Sequence, residues 1–211
     1  MKTDKALQSY LNKNLKHVCT AAIESGTFIK NKFGKFRNLE LKADTSLVTE
    51  VDKKSEKIVL KFIKNHFPND EIIGEESGKI FGKLNENSKN SKRPRGSFRW
   101  HIDPLDGTTN FVHGFPIFCV SIGLEFENYG PVLGVIYQPM TGDLITAVHG
   151  TGAFKNKKLV SVSKTTPMSD ALLGTGFSVK KERYLAEELR IFSQISKRCH
   201  AVRRTGSAAL D

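Results

Sequence analysis

The sequence predicts a mixed fold, α+β passing into α/β, and three features carry that prediction. Apolar residues recur at helical spacing in two stretches before residue 70, and short alternating segments with tight turns fill 120–162. A strand, a helix and another strand then follow one another after residue 171. The texture changes near Thr165. This divides the chain into an N-terminal α+β part, residues 1–165, and the start of a C-terminal α/β part, residues 166–211.

From Asp4 to about Lys32, Leu7, Leu11, Leu15, Val18, Ala22 and Ile29 lie on one helical face. Thr3 or Asp4 can cap the start, and Gly34 lies just past the end. Asp44 to Asp52 reads as a polar bend. Lys53 to His66 forms a second amphipathic helix through Ile58, Val59, Phe62 and Ile63, stopped by Pro68. Glu71-Ile72-Ile73-Gly74 is a short strand running into Glu75 and Glu76. Successive strand side chains face opposite ways, so only one of these acids would face a given site. Ser77 to Ser97 has low complexity and no periodicity, and reads as a surface loop or flap.

Val120 to Glu127 turns at Asn128-Tyr129-Gly130 into Val132 to Tyr137. Residues 139–143 turn into Leu144 to Val148, and Phe154 leads through Asn156-Lys157 to Leu159-Val160-Ser161-Val162. That is the pattern of an antiparallel meander. Ala171 to Gly174 and Ala201 to Arg204 are short strands around a helix, Lys181 to Ser196, with Tyr184, Leu185, Leu189, Phe192 and Ile195 inward. Gly206-Ser207-Ala208-Ala209 reads as a second glycine-led helix start. A chain that stops at Asp211, one turn later, is expected to be a piece of a longer one.

At 211 residues, 38% hydrophobic and 26% charged, the chain is long and apolar enough to bury a sizeable core. No apolar run approaches the ~20 residues that cross a bilayer, and no signal-peptide stretch opens the chain, so a membrane is not an expected partner. Cys19, Cys119 and Cys199 form no C-x-x-C pair and cannot all pair within one chain, which points to a reducing cytoplasm. The net charge of +11 raises nucleic acid as a partner. The lysines are scattered, however, and the densest cluster, Lys89 to Arg95, falls in the low-complexity loop.

The chemistry concentrates between Trp100 and Phe111. Pro104 removes a backbone donor and Gly107 frees φ, so the stretch is a poor continuation of a strand or helix. It is a good way to turn Asp103 and Asp106 onto one point. Gly107 to Thr109 then offer consecutive N–H groups at a helix start, where a phosphate is welcome. A cation held by carboxylates beside an anion held by amides is the layout of a metal-assisted phosphatase. Asp-Pro and Asp-Gly alone would mark an ordinary turn, but this one is bracketed by Trp100 and by Phe111, Val112 and Phe115. Oxygen donors favour a hard cation such as Mg²⁺ over Zn²⁺. His101 and His113 flank the stretch and read as structural.

Four segments in this order resemble the inositol monophosphatase family: Asp44 to Asp52, Glu75-Glu76, Asp103 to Phe111, and Arg203 to Asp211. The resemblance implies a layered α-β-α-β-α sandwich, of the type shared with fructose-1,6-bisphosphatases, whose second layer is incomplete here. It also implies Mg²⁺-dependent hydrolysis of a small phosphate monoester, myo-inositol 1-phosphate to inositol and phosphate. Position by position, Glu75, Asp103, the Leu105 carbonyl and Asp106 would be metal ligands. Thr108 and Asp52, with Glu75, would be catalytic, positioning and deprotonating the attacking water. Gly107 and Thr108 amides would hold the phosphate beside Glu75, Leu105 and Asp106, while Gly206, Ser207 and Ala208 would lie along the inositol ring. Asp52 could instead cap the second helix, and Thr108 the short one after it.

Family members continue into a Trp-Asp motif whose aspartate completes a second metal site, and this sequence stops before it. The resemblance implies a homodimer. Histidinol phosphate and fructose 1,6-bisphosphate are alternative substrates. A role without catalysis, in transcription or ribosomal RNA maturation, is the alternative of a different class.

Overall fold

The structure, a computed structural model, describes residues 2–35, 39–41, 47–80, 82, 94, 96–127, 129–177 and 181–211. Its first element is the helix α1 (Lys2–Lys32), followed by the strands β1 (Leu39–Leu41) and β2 (Leu47–Thr49) and the helix α2 (Glu50–His66). Next come β3 (Glu71–Gly74), β4 (Gly78–Ile80), β5 (Phe98–Asp106) and the short helix α3 (Thr108–Val112). The meander follows as β6 (Cys119–Phe126), β7 (Gly130–Gln138), β8 (Asp143–Val148), β9 (Gly152–Lys155) and β10 (Lys158–Val160). The chain then runs through a 3-10 turn at Met168–Asp170 into β11 (Leu172–Gly174), α4 (Lys181–Ser196) and β12 (Ala201–Arg203).

Eight strands form one sheet in the order β10-β9-β8-β7-β6-β5-β3-β4. Every neighbouring pair is antiparallel except β3 and β5, which run parallel. α1 and α2 pack together over one face, mainly against β5, β6 and β7. Alternation along β5 explains why: Phe98, Trp100 and Ile102 turn toward the helices and are buried, whereas Arg99 and His101 turn away. From α1, Leu7, Leu11, Val18, Ala22 and Ile29 complete that core. Trp100 satisfies its buried indole by donating from Nε1 to Asp70 Oδ2 at 2.9 Å.

Several expectations are corrected. β5 does continue through Pro104 to Asp106. It does so with a bulge: Asp103 pairs with Ser121 and Asp106 with Cys119, so one extra β5 residue is fitted in. The described part of 44–52, expected as a polar bend, is β2 and the first turn of α2, and residues 44–46 lie outside the described residues. The α2 face turned inward carries Val51, Asp52, Ser55, Glu56, Val59, Leu60 and Ile63, whereas Ile58 and Phe62 border an outer groove. Residues 78–80 form β4 rather than loop, paired with β3. The rest of that loop, with the Lys89 to Arg95 cluster, falls largely outside the described residues.

β11 and β12 pair in parallel as a separate two-stranded sheet. The helix between them, α4, starts and ends as its periodicity predicts, but Tyr184, Leu185, Leu189 and Phe192 are exposed rather than inward. A two-stranded sheet is too narrow to cover a sixteen-residue helix.

Two serines pin the bulge to the helices. Ser55 Oγ of α2 donates to the Pro104 carbonyl at 2.8 Å, and its oxygen lies 2.5 Å from Ser25 Oγ of α1. Ser55 has one hydroxyl proton, so Ser25 is the donor to Ser55. Both side chains are fully buried. Ser55→Ala should therefore leave a buried carbonyl unsatisfied and lower the unfolding free energy by about 1–3 kcal/mol, measured by denaturant titration.

Candidate metal and phosphate site

The bulge aims two carboxyls and one carbonyl from four consecutive residues. Asp103 Oδ1 accepts the N–H of Leu105 at 3.1 Å, which folds its side chain back over the turn. The Pro104 carbonyl is drawn toward the helices by Ser55, and the Leu105 carbonyl toward Thr108, whose Oγ1 lies 3.0 Å away. β3 delivers the third acid. Its parallel pairing with β5 continues one residue past the strand, where Glu75 N–H donates to the Ile102 carbonyl at 3.0 Å. Glu75 thus meets Asp103, and the two side chains share a hydrogen bond.

Burial, then the negative charges of Glu75 and Asp106, push the Asp103 carboxyl up from 3.8 to about 8. The Leu105 N–H opposes this shift. A buried oxygen-rich cluster held together against its own repulsion suits a hard divalent cation. Among the described residues, no group of three His, Cys, Asp or Glu side chains is placed to hold a metal ion. Asp106 explains part of this, because it leans on the 207–209 segment. Its Oδ2 accepts from Ser207 Oγ at 2.6 Å, from Ala209 N–H at 2.7 Å and from the Cys119 thiol at 3.6 Å. Oδ1 accepts only Ala208 N–H, at 3.1 Å, among the bonds described for it, which leaves a lone pair for a cation.

The Asp103 shift gives a pH signature for the metal-free protein. A carboxyl whose folded value is raised binds more protons folded than unfolded, so its stabilisation is complete below about pH 4 and is lost as pH rises through about 8. The thermal midpoint of metal-free protein should fall across that window. Saturating Mg²⁺ should reduce the fall, which differential scanning fluorimetry reads directly.

Thr108 and Asp52 are hydrogen-bonded to each other. Asp52, 1% exposed in the first turn of α2, accepts from Thr108 Oγ1 at 3.0 Å. Asp52 lies within the first turn of α2, and this bond joins it across to α3. Thr108 opens α3 behind Gly107, which takes φ +95°. A Cβ at Gly107 would come 3.0 Å from the Ile117 carbonyl and 3.2 Å from Phe118 Cβ, so both sterics and φ select glycine. The first N–H groups of such a turn have no partner within the helix itself.

Ser207 and Ala208 reach this site from the far end of the chain and meet Asp106 through the bonds above, while Gly206 lies against Asn110. The expected helix start there is one turn, with Leu210 N–H and Asp211 N–H both donating to the Ser207 carbonyl at 3.1 Å. His101 finds Glu125 Oε2 at 3.0 Å and takes part in a surface charge row with Arg99, as a structural residue does.

Three residues that sequence reasoning passed over help build the site. Ser55 holds the bulge. Glu56, 3% exposed, accepts the Glu76 N–H at 3.0 Å and occupies the space a Gly74 side chain would fill. Asn110 bonds to the Ile117 and Thr205 carbonyls. Ser55 and Glu56 share the inward face of α2 with Asp52, and polar residues on a buried stripe are the signal that could have found them.

The profile described as the inositol monophosphatase family matches residues 11–211. Inositol monophosphatase 2 of Solanum lycopersicum is 39% identical over 193 residues, which cover 90% of this chain and 69% of that protein. The Nus factor SuhB of Vibrio cholerae is 41% identical over 170 residues, covering 81% of this chain and 59% of that one. The solved structure of inositol monophosphatase from Anabaena superposes with a TM-score of 0.79 at 37% identity, covering 96% of this chain and 70% of its own.

Proposed function

This chain belongs to the inositol monophosphatase family, and on that premise we propose that it hydrolyses a small phosphate monoester, myo-inositol 1-phosphate, to inositol and phosphate. The observation that carries the proposal is the Glu75–Asp103 hydrogen bond, with Asp106 near enough for its charge to raise the Asp103 carboxyl, beside the Thr108–Asp52 pair. Mg²⁺, held by Glu75, Asp103, the Leu105 carbonyl and Asp106, would supply Lewis-acid charge that eases deprotonation of water and offsets charge on the phosphoryl oxygens. With the Leu105 carbonyl committed to the cation, the single Thr108 proton goes to Asp52, which leaves the Thr108 lone pairs to accept from the attacking water and aim it. Asp52 is the base behind that hydroxyl, and Glu75 offers a second acceptor to water. Gly107 and Thr108 N–H groups hold the phosphate, and Gly206, Ser207 and Ala208 lie along the alcohol. No covalent nucleophile is required.

The same reading carries a homodimer, and the free thiols of Cys19, Cys119 and Cys199 suit the cytoplasm. Among the described residues no helix is long and apolar enough to cross a membrane. A second reading, a role in transcription through a protein partner, is favoured by the likeness to the Nus factor SuhB.

Phosphate release from myo-inositol 1-phosphate, followed with and without Mg²⁺, tests the first reading. Release that depends on Mg²⁺ supports it. A folded protein that releases no phosphate at any Mg²⁺ concentration overturns it and leaves the partner role.

A further inference from the structure

Asp106 is the point where the two ends of the site meet, and the segment that meets it is held from a second side. Thr205 to Ala209 rises from β12 and lays the Ser207 hydroxyl and the Ala208 and Ala209 amides on the Asp106 carboxylate. Asn110, on the outer side of α3, reaches the same segment. Its Nδ2 lies 2.7 Å from the Thr205 carbonyl and 2.7 Å from the Ile117 carbonyl. An amide nitrogen has two protons, so both are used, and two carbonyl partners fix which end of the amide is nitrogen. Gly206 sits directly against it with φ +84°, and a Cβ there would come 2.9 Å from Asn110 Oδ1 and 3.0 Å from Nδ2.

We propose that Asn110 is a positioning residue that latches the Thr205–Ala209 segment onto Asp106, so that the metal-site carboxylate and the alcohol-facing loop are set as one unit. The inference rests on the phosphatase reading for its kinetic consequence, and on geometry alone for its structural one. Five hydrogen bonds define the unit: two from Asn110 to carbonyls, and three from the segment to Asp106. Without the Asn110 donors, Thr205 and Gly206 lose their tie to α3. Asp106 must then order the segment by itself. Partners of a ligating carboxylate hold its orientation, and their loss commonly costs about 10–100-fold in metal affinity or activity. The cost should therefore fall on substrate capture, because Thr108 and Asp52 are bonded to each other and not to Asn110.

The test uses the whole chain and two variants: Asn110→Ala and Asn110→Asp. Asp has nearly the shape of Asn but, ionised, has no donor for the two carbonyls. In both, KM for myo-inositol 1-phosphate should rise about tenfold while kcat stays within about threefold. Hydrogen–deuterium exchange provides the arm that needs no activity. The Ala208 and Ala209 amides should exchange about tenfold faster in Asn110→Ala and Asn110→Asp, with β6 and β7 unchanged. Unchanged exchange at Ala208 and Ala209 would overturn the latch, as would an Asn110→Asp variant that behaves like the parent. Parent protein without activity would count against the phosphatase reading, and the exchange result would still decide the latch.

Discussion

Asp106→Asn should abolish Mg²⁺-dependent phosphate release, by at least about 10³-fold in kcat/KM, on the order of 4 kcal/mol. Two losses combine. The first is charge: a neutral amide oxygen is a poorer ligand for a hard cation than a carboxylate oxygen. The second is geometry. Asp106 accepts from Ser207 Oγ and from two backbone amides, Ala208 and Ala209. An asparagine offers one acceptor end and turns a donor NH₂ toward at least one of those N–H groups, which leaves donors facing donors. The 205–209 segment should loosen together with the loss of activity. Steady-state kinetics read the first effect, and limited proteolysis or amide exchange the second. Because Asp106 is partly buried among these partners, the thermal midpoint should also move, so both readouts belong in one experiment.

Thr108→Ala should reduce kcat about 10²–10⁴-fold and change KM little, since it removes the group that aims the water and not the groups that would bind the ester. The hydroxyl stands between Asp52 Oδ1 and the Leu105 carbonyl, 3.0 Å from each. Its removal leaves Asp52, 1% exposed, without the Thr108 hydroxyl across from it. Thr108→Ser keeps the hydroxyl and should retain most activity. A Ser variant as slow as the Ala variant would assign the loss to packing of the missing methyl.

The sequence made the acids legible and hid what holds them. Asp103 and Asp106 stood out because a proline and a glycine at that spacing suit few other purposes, and Glu75 because it ends a strand. The path of the backbone between them was read less well. A rule against proline in strands pointed to a turn, yet β5 runs on to Asp106 because a bulge absorbs the irregularity and Ser55 takes the Pro104 carbonyl. Ser55 lies 49 residues from that carbonyl and Asn110 lies 95 from the Thr205 carbonyl. Such pairs leave no local periodicity or composition to read. Glu56 was hidden in another way: it looks like one more exposed acid on a charged helix until its neighbour Gly74 shows the room made for it. α4 marks the reverse case. Its periodicity gave correct limits, but a hydrophobic stripe states only that cover is wanted, and Leu185 and Leu189 remain exposed.

The charge cluster leads to the most direct measurement: binding of Mn²⁺ as a magnetic stand-in for Mg²⁺, followed by electron paramagnetic resonance, for the parent chain and for Asp103→Asn. The parent should bind the ion, Mg²⁺ should displace it, and the thermal midpoint should rise on binding. Asp103→Asn should lose that binding while its metal-free form is at least as stable as the parent, because removing one carboxylate relieves repulsion from Glu75 and Asp106. Equal Mn²⁺ affinity in the two proteins would contradict the assignment of Asp103, Glu75 and Asp106 as the cation site.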